Sequence, residues 1–315
     1  MPADIPSFRS LFGELNGYLG ANAYEEVLLP WLPRAREAMA ILGRYGDPAA
    51  IAWRTDDPDP CSGGDRHRYY TCLEHLYALS RVSDLLLVSF EPIRPELLVG
   101  GSGPVSPGEP WVPGAVVTAE QRLAWWQALG MTPISETQPF HPFYHEIVVV
   151  EQAEDPAEPI TVTATLWTGF LLGQLLFARA GVAVRGGRDH IAKEIAETSR
   201  LYWSYWRNNR RAVDLSHGWG HNSQWATGFR RDYVTHDAYH YNVDGFNDEA
   251  IPLLDADGRV DPAATTEELS PRGALEVMTH RCLVTEPEGF WEIFLDNYTH
   301  REPRAPAPGV LHNDW

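Results

Sequence analysis

The residues best able to do chemistry in this chain are its twelve histidines, three pairs of which share the spacing His-x-x-x-His: His141 with His145, His217 with His221, and His236 with His240. Positions four apart share a face on a helix, and even spacing keeps two side chains on one side of a strand. Either element could therefore offer two imidazoles to one metal ion. A metal site needs a further ligand, which a pair alone does not supply. Pro142 argues against a regular helix at His141, and the residues after it read as a strand, so that pair would approach a site from a strand end.

The densest constellation is Ser216-His-Gly-Trp-Gly-His-Asn-Ser-Gln-Trp225, followed by Thr227, Phe229, Arg230 and Arg231. Gly218 and Gly220 together would cost about 2 kcal/mol in a helix interior relative to alanine, which points to an irregular turn where backbone approaches a ligand closely. A flat macrocycle suits such a turn; a glycine-rich surface turn with incidental histidines is the plainer alternative. His75 lies in the stripe Cys72, His75, Leu79, Val82, Leu86, the spacing of an apolar helix face. There an imidazole is either a satisfied core histidine or a proton-handling group. His190 opens another amphipathic segment and is a candidate axial ligand or an incidental first-turn residue. Trp219 and Trp225 could wall a cofactor, although ordinary packing is the commoner role of tryptophan. Arg230 and Arg231, as neighbours, cannot both face one pocket on a helix, and one of them could pair with a carboxylate.

Several chemistries lose support. No G-x-G-x-x-G follows a strand, and neither a Walker loop nor a G-x-S-x-G elbow is present. A formal net charge of -18 repels a phosphate backbone, so nucleic acid is not an expected partner. No run of about 18 apolar residues offers a membrane span. The first ten residues carry Asp4 and Arg9 with no apolar core, unlike a signal peptide, so a cytoplasmic protein is expected. Cys61, Cys72 and Cys282 stand far apart without a C-x-x-C pair, which suits reduced thiols.

The elements that would position these residues read mainly as helices. Apolar residues recur at helical spacing over 8–19, 24–42, 66–88, 119–129, 169–180, 191–206, 272–283 and 290–298. Ser7, Thr118 and Ser270, the last followed by Pro271, are expected N-caps. Glu146 to Glu151 and Ile160 to Leu166 read as a β-hairpin joined by the Pro- and acid-rich stretch 152–159. A weaker hairpin turn is expected at 255–258 and a loop over 100–114. The expectation is a single helix-rich catalytic domain over 1–300 with an extended tail over 301–315.

At Ser216 to Arg231, at Tyr239-His-Tyr-Asn-Val-Asp244 and at Thr279-His-Arg-Cys282, the sequence resembles the haem-dependent L-tyrosine 3-hydroxylases of antibiotic biosynthesis. The resemblance extends over about Glu146 to Leu283, and the first half is similar only in helical texture and length. It implies a mainly α fold related to tryptophan 2,3-dioxygenase, with one haem b held by histidine. It also implies peroxide-driven ortho-hydroxylation of L-tyrosine to L-DOPA. Carried onto this chain, His217 is the first candidate for the iron ligand, with His221 and His190 behind it. Trp219 and Trp225 would flank the cofactor, and His75, Asn222, Arg230 and Arg231 would serve catalysis. Some relatives attach haem through His-x-x-x-Cys, whereas His280 and Cys282 are separated by one residue, which speaks against a covalent link. Competing expectations are a non-haem iron or copper oxygenase built on the His-x-x-x-His pairs, completed by Glu146 or Asp232, and a non-catalytic aromatic-ligand binding protein. A homodimer is left open.

Overall fold

The computed structural model describes residues 7–47, 71–94, 96, 115–199, 201–202, 204, 207–210, 212–213, 225, 227–245, 275–276, 278–279 and 298–304. The N-terminal helices form where periodicity puts them. In α1 (Phe8–Asn16) the residues Phe8, Leu11, Phe12 and Leu15 fall on one face and are buried. A single π-helical turn at Tyr24–Leu28 runs without a break into α2 (Leu29–Leu42), which carries Pro30 in its first turn and Pro33 in its interior. Thr118 starts α4 (Ala119–Ala128) with a complete capping box: its hydroxyl accepts from the Gln121 N–H, and the Gln121 side chain accepts from the Thr118 N–H. Ser7 stands at the N-cap of α1 without a side-chain bond.

The pivotal helix is α3 (Thr71–Leu87). Every residue from Leu76 to Val88 is buried. One face, with Cys72, Leu76, Leu79, Val82 and Leu86, joins α1, α2 and α4 in the main apolar core. The other, with Ser80, Arg81, Ser83 and Asp84, is polar and equally enclosed. Buried polar groups need partners, so this face must look onto something that supplies them.

The rest of the fold departs from the helical expectation. The mainly α architecture and its link to the tryptophan 2,3-dioxygenase fold are overturned: the described residues hold a six-stranded, a three-stranded and a two-stranded sheet besides five α-helices. The segment 169–180 is a hairpin of β4 (Phe170–Leu172) and β5 (Leu175–Ala178), with Leu172 opposite Leu175. Gly173 supplies the turn at φ 57°, and a Cβ there would stand 2.5 Å from the Gly46 carbonyl oxygen. Two apolar triplets around Gly-Gln satisfy helix and strand patterns alike, and the left-handed glycine decides for the strand. This hairpin belongs to the sheet ordered β1 (Thr132–Pro133), β4, β5, β9 (Tyr233–Val234), β10 (Ala238–Tyr241), β11 (His300–Pro303). The start of the expected tail is thus a paired strand, with Arg301 opposite His240.

The expected hairpin is also rearranged. β2 (His145–Gln152) and β3 (Thr161–Trp167) both form, but β6 (Ala180–Gly186) lies between them, parallel to β2 and antiparallel to β3. The run Ala-Gly-Val-Ala-Val gives β6 its β-branched centre, and Gly181 lets it pass the Trp167 indole, which a Cβ would meet at 2.2 Å. In place of a long helix over 191–206 stand α5 (Lys193–Ala196) and then β7 (Leu201–Tyr202) beside β8 (Ala212–Val213). The turn at 255–258, the loop at 100–114, the Ser270 cap and the helix at 290–297 lie outside the described residues. Cys72 is half of a disulfide, against the expectation of reduced thiols. Among the described residues no helix is long and apolar enough to cross a membrane.

The capping box makes the start of α4 testable. Thr118→Ala should lower unfolding free energy by about 1 kcal/mol, and Thr118→Ser should restore most of it. Urea melts of the three proteins check this; equal midpoints for Thr118→Ala and the parent would mean the cap is idle.

Candidate functional site

The polar face of α3 looks onto Arg207. This guanidinium is buried and reaches three carboxylates from three places in the chain. Its Nη1 donates to Asp84 Oδ1 on α3 at 2.9 Å, and its Nε and Nη2 each donate to one oxygen of Glu146 on β2 at 3.2 Å. Its Nε also stands 3.3 Å from Glu91 Oε1, just beyond the helical turn that ends α3. Arg81 completes the group by donating to the second oxygen of Asp84 at 2.9 Å. Glu91 in turn accepts the Asn208 N–H at 2.6 Å.

Among the described residues Arg81 and Arg207 face three carboxylates directly, and Glu91 is the most buried of these: its side chain is fully buried, and this burial, opposed by Arg207 and the Asn208 N–H and reinforced by Glu146 and Asp84, pushes it up to about 8.

A second charged group closes the same space from the side of the six-stranded sheet. Asp232, just before β9, accepts from Arg230 Nε at 2.9 Å and from the Asn242 N–H at 2.7 Å, and lies 3.6 Å from Arg179 Nη2. Arg179 is otherwise held through Nε to the Pro142 carbonyl at 3.0 Å, so its buried Nη2 has no hydrogen-bond partner. Between the groups is a pocket of about 100 Å³, lined by both sets of charges together with Tyr77, Ser83, Phe177 and Phe229. Among the described residues four arginines (Arg81, Arg179, Arg207, Arg230) and three carboxylates (Asp84, Glu146, Asp232) line it. Arg122 on α4 interacts electrostatically with Arg207 and Asp84. It is buried with no carboxylate in salt-bridge range among the described residues, donates only to the Thr168 carbonyl, and is pushed down to about 9 by burial and then by the like charge of Arg207.

The expected site residues divide. Arg230 lines this pocket; Arg231 does not, being turned to Asp244, which it grips with two hydrogen bonds. Trp225 packs edge-on against Phe12 and Tyr77, a core role. His75 is half-buried on α3, and burial lowers its pKa, but it does not line the pocket. His190 stands apart with Nε2 3.2 Å from the Ala157 carbonyl. His217, Trp219, His221 and Asn222 lie outside the described residues. Glu146 and Asp232, considered above as metal ligands, instead bind arginines. Missed altogether were Arg207, Arg179, Asp84, Glu91 and Ser83.

The imidazoles of the described histidine pairs face other groups. His145 Nδ1 faces the backbone of His141, and burial pushes this imidazole down to about 4. His141 accepts the Phe143 N–H on Nδ1, points Nε2 at Glu302 and stacks on Tyr239 with ring centres 4.1 Å apart. His236 is exposed in the turn before β10, while His240 is within the strand. No cluster of three metal-ligating side chains exists among the described residues. A groove of about 600 Å³ collects His141, His190 and His300 beside Phe140 and Leu275. Comparison with known proteins gives no family model, no curated protein and no solved structure that matches the chain.

Glu91 fixes a sign for pH dependence. Its folded pKa is raised, so the native state binds more protons than the unfolded chain between about pH 4.5 and 8, and stability falls as pH rises through that window. Glu91→Gln keeps an oxygen for the Asn208 N–H and removes the titration. The variant should gain on the parent by up to about 1.4 kcal/mol per pH unit across the window and level off above it. Denaturant melts at pH 5, 6.5 and 8 measure this; parallel curves for the two proteins would show that Glu91 is ionised throughout.

Proposed function

We propose that the protein binds a small organic acid in the pocket between Arg207 and Asp232. The observation that carries this reading is Arg179 Nη2, a buried guanidinium N–H in an arginine-rich lining, which stands 3.6 Å from Asp232 and has no hydrogen-bond partner. A buried donor without a partner is destabilising by about 1–3 kcal/mol, more when charged, and a carboxylate supplies the acceptor and a charge of the right sign. The size of the space selects the ligand. A cavity of about 150 Å³ holds benzene, so 100 Å³ suits an acid of about two or three carbons rather than the L-tyrosine implied by the family resemblance.

Titration calorimetry with acetate and propionate in a carboxylate-free buffer tests the reading. Both acids should bind with one site per chain, and Arg179→Gln should weaken them about tenfold or more while leaving the thermal melt within a few degrees of the parent. Failure of either acid to bind at millimolar concentration, or unchanged affinity in a folded Arg179→Gln protein, would refute it.

A second reading, haem-dependent hydroxylation of L-tyrosine with peroxide, has one placement in its favour. The Phe229 N–H donates to the Leu73 carbonyl at 3.0 Å, so the segment bearing Arg230 runs beside the helix bearing His75. The charged pocket is too small for a macrocycle, and the larger groove of about 600 Å³ that holds His141, His190 and His300 is the space among the described residues that this reading would use. This reading predicts a Soret band in the purified or haemin-titrated protein that is lost in His217→Ala. A protein that stays colourless with haemin would remove this reading and leave acid binding standing.

A further inference from the structure

Ser83 occupies the wall of the acid pocket in an unusual state. Serines inside helices commonly turn their hydroxyls back onto a carbonyl of the preceding turn. Ser80, on the same helix face, does so, donating to the Tyr77 carbonyl at 2.7 Å. Ser83 does not: it is 2% exposed, its Oγ is buried, and that oxygen has no hydrogen-bond partner. Asp84 is engaged on both oxygens by Arg81 and Arg207, and Glu146 on both by Arg207, and neither receives the Ser83 hydroxyl.

Resting on the acid-binding reading, we propose that Ser83 reads an oxygen substituent on the carbon next to the ligand's carboxylate, so that the ligand is a short 2-hydroxy or 2-oxo acid. The carboxylate has its partners in Arg179 and Arg230 on the sheet side, while Ser83 belongs to the opposite wall on α3. A pocket of about 100 Å³ leaves little more than one substituted carbon between the walls. A hydroxyl is both donor and acceptor, so Ser83 can donate to a ketone or exchange either role with an alcohol. An ammonium substituent fits less well, because Asp84, Glu146 and Asp232 are each already held by guanidiniums. Sites that bury a group to hydrogen-bond a substrate hydroxyl reject the analogue lacking it far more strongly than apolar sites reject a missing methylene.

The test compares acetate, glycolate and glycine, which share a carbon skeleton, on the parent protein and on Ser83→Ala, with a thermal melt of each. The parent should bind glycolate at least tenfold tighter than acetate and should bind glycine more weakly than glycolate. In Ser83→Ala the preference should be lost, with glycolate binding no better than acetate. Equal binding of acetate and glycolate by the parent, discrimination that survives in Ser83→Ala, or glycine binding as tightly as glycolate would each overturn the proposal while leaving the acid site intact. Should none of the three bind the parent, the acid-binding reading falls as well.

Discussion

The buried guanidinium of Arg207 is the interaction on which the arrangement depends. Its three carboxylates come from α3, from the turn after α3 and from the first strand of the three-stranded sheet, so one side chain ties the helical core to the β-structure. Such a group is a poor source of net stability, because desolvation offsets most of the attraction, yet losing one partner typically costs about 3–5 kcal/mol by leaving a buried charge unmatched. Its effect is therefore specificity of placement. α3 cannot rotate or slide without breaking Asp84 from Arg207, and its fully buried polar face is fixed over the pocket.

The placement has an electrostatic consequence. On the helix side Arg81 and Arg207 are matched directly by Asp84, Glu91 and Glu146, while among the described residues Arg179 and Arg230 share the carboxylate of Asp232. The sheet side therefore offers the Arg179 N–H that has no hydrogen-bond partner, and the helix side offers the neutral hydroxyl of Ser83. Charge on one wall and an uncharged hydrogen-bonding group on the other describe a site for an acid with a polar neighbour to its carboxylate.

The sequence carried the N-terminal half of this structure more openly than the rest. The helices α1 to α4 follow from apolar spacing and from Thr118, because each packs one continuous stripe into the core. The segment 170–178 misleads because three apolar residues on each side of Gly-Gln fit both periods, and only the positive φ of Gly173 separates them. The true partner of β2 was hidden for a different reason: pairing with β6 is set by tertiary contact, whereas a hairpin is the local solution that sequence suggests. Within the site, Arg230 was legible from its polar and aromatic company. The signal for two others was a charge among apolar residues: Asp84 interrupts the apolar run Val82 to Val88, and Glu146, expected above as a metal ligand, heads the strand Ile-Val-Val-Val. A charged residue inside a buried apolar run requires a partner, and Arg207, more than sixty residues beyond Glu146, can be assigned to it only by the fold.

The central claim is that the charged pocket is shaped for a carboxylate, and a crystal structure of the protein grown with acetate tests it most directly. The account predicts one acetate between the walls, with a carboxylate oxygen within about 3 Å of Arg179 Nη2 and the Arg207 group undisturbed. Only water in that space at saturating acetate, with Arg179 turned fully onto Asp232, would contradict it.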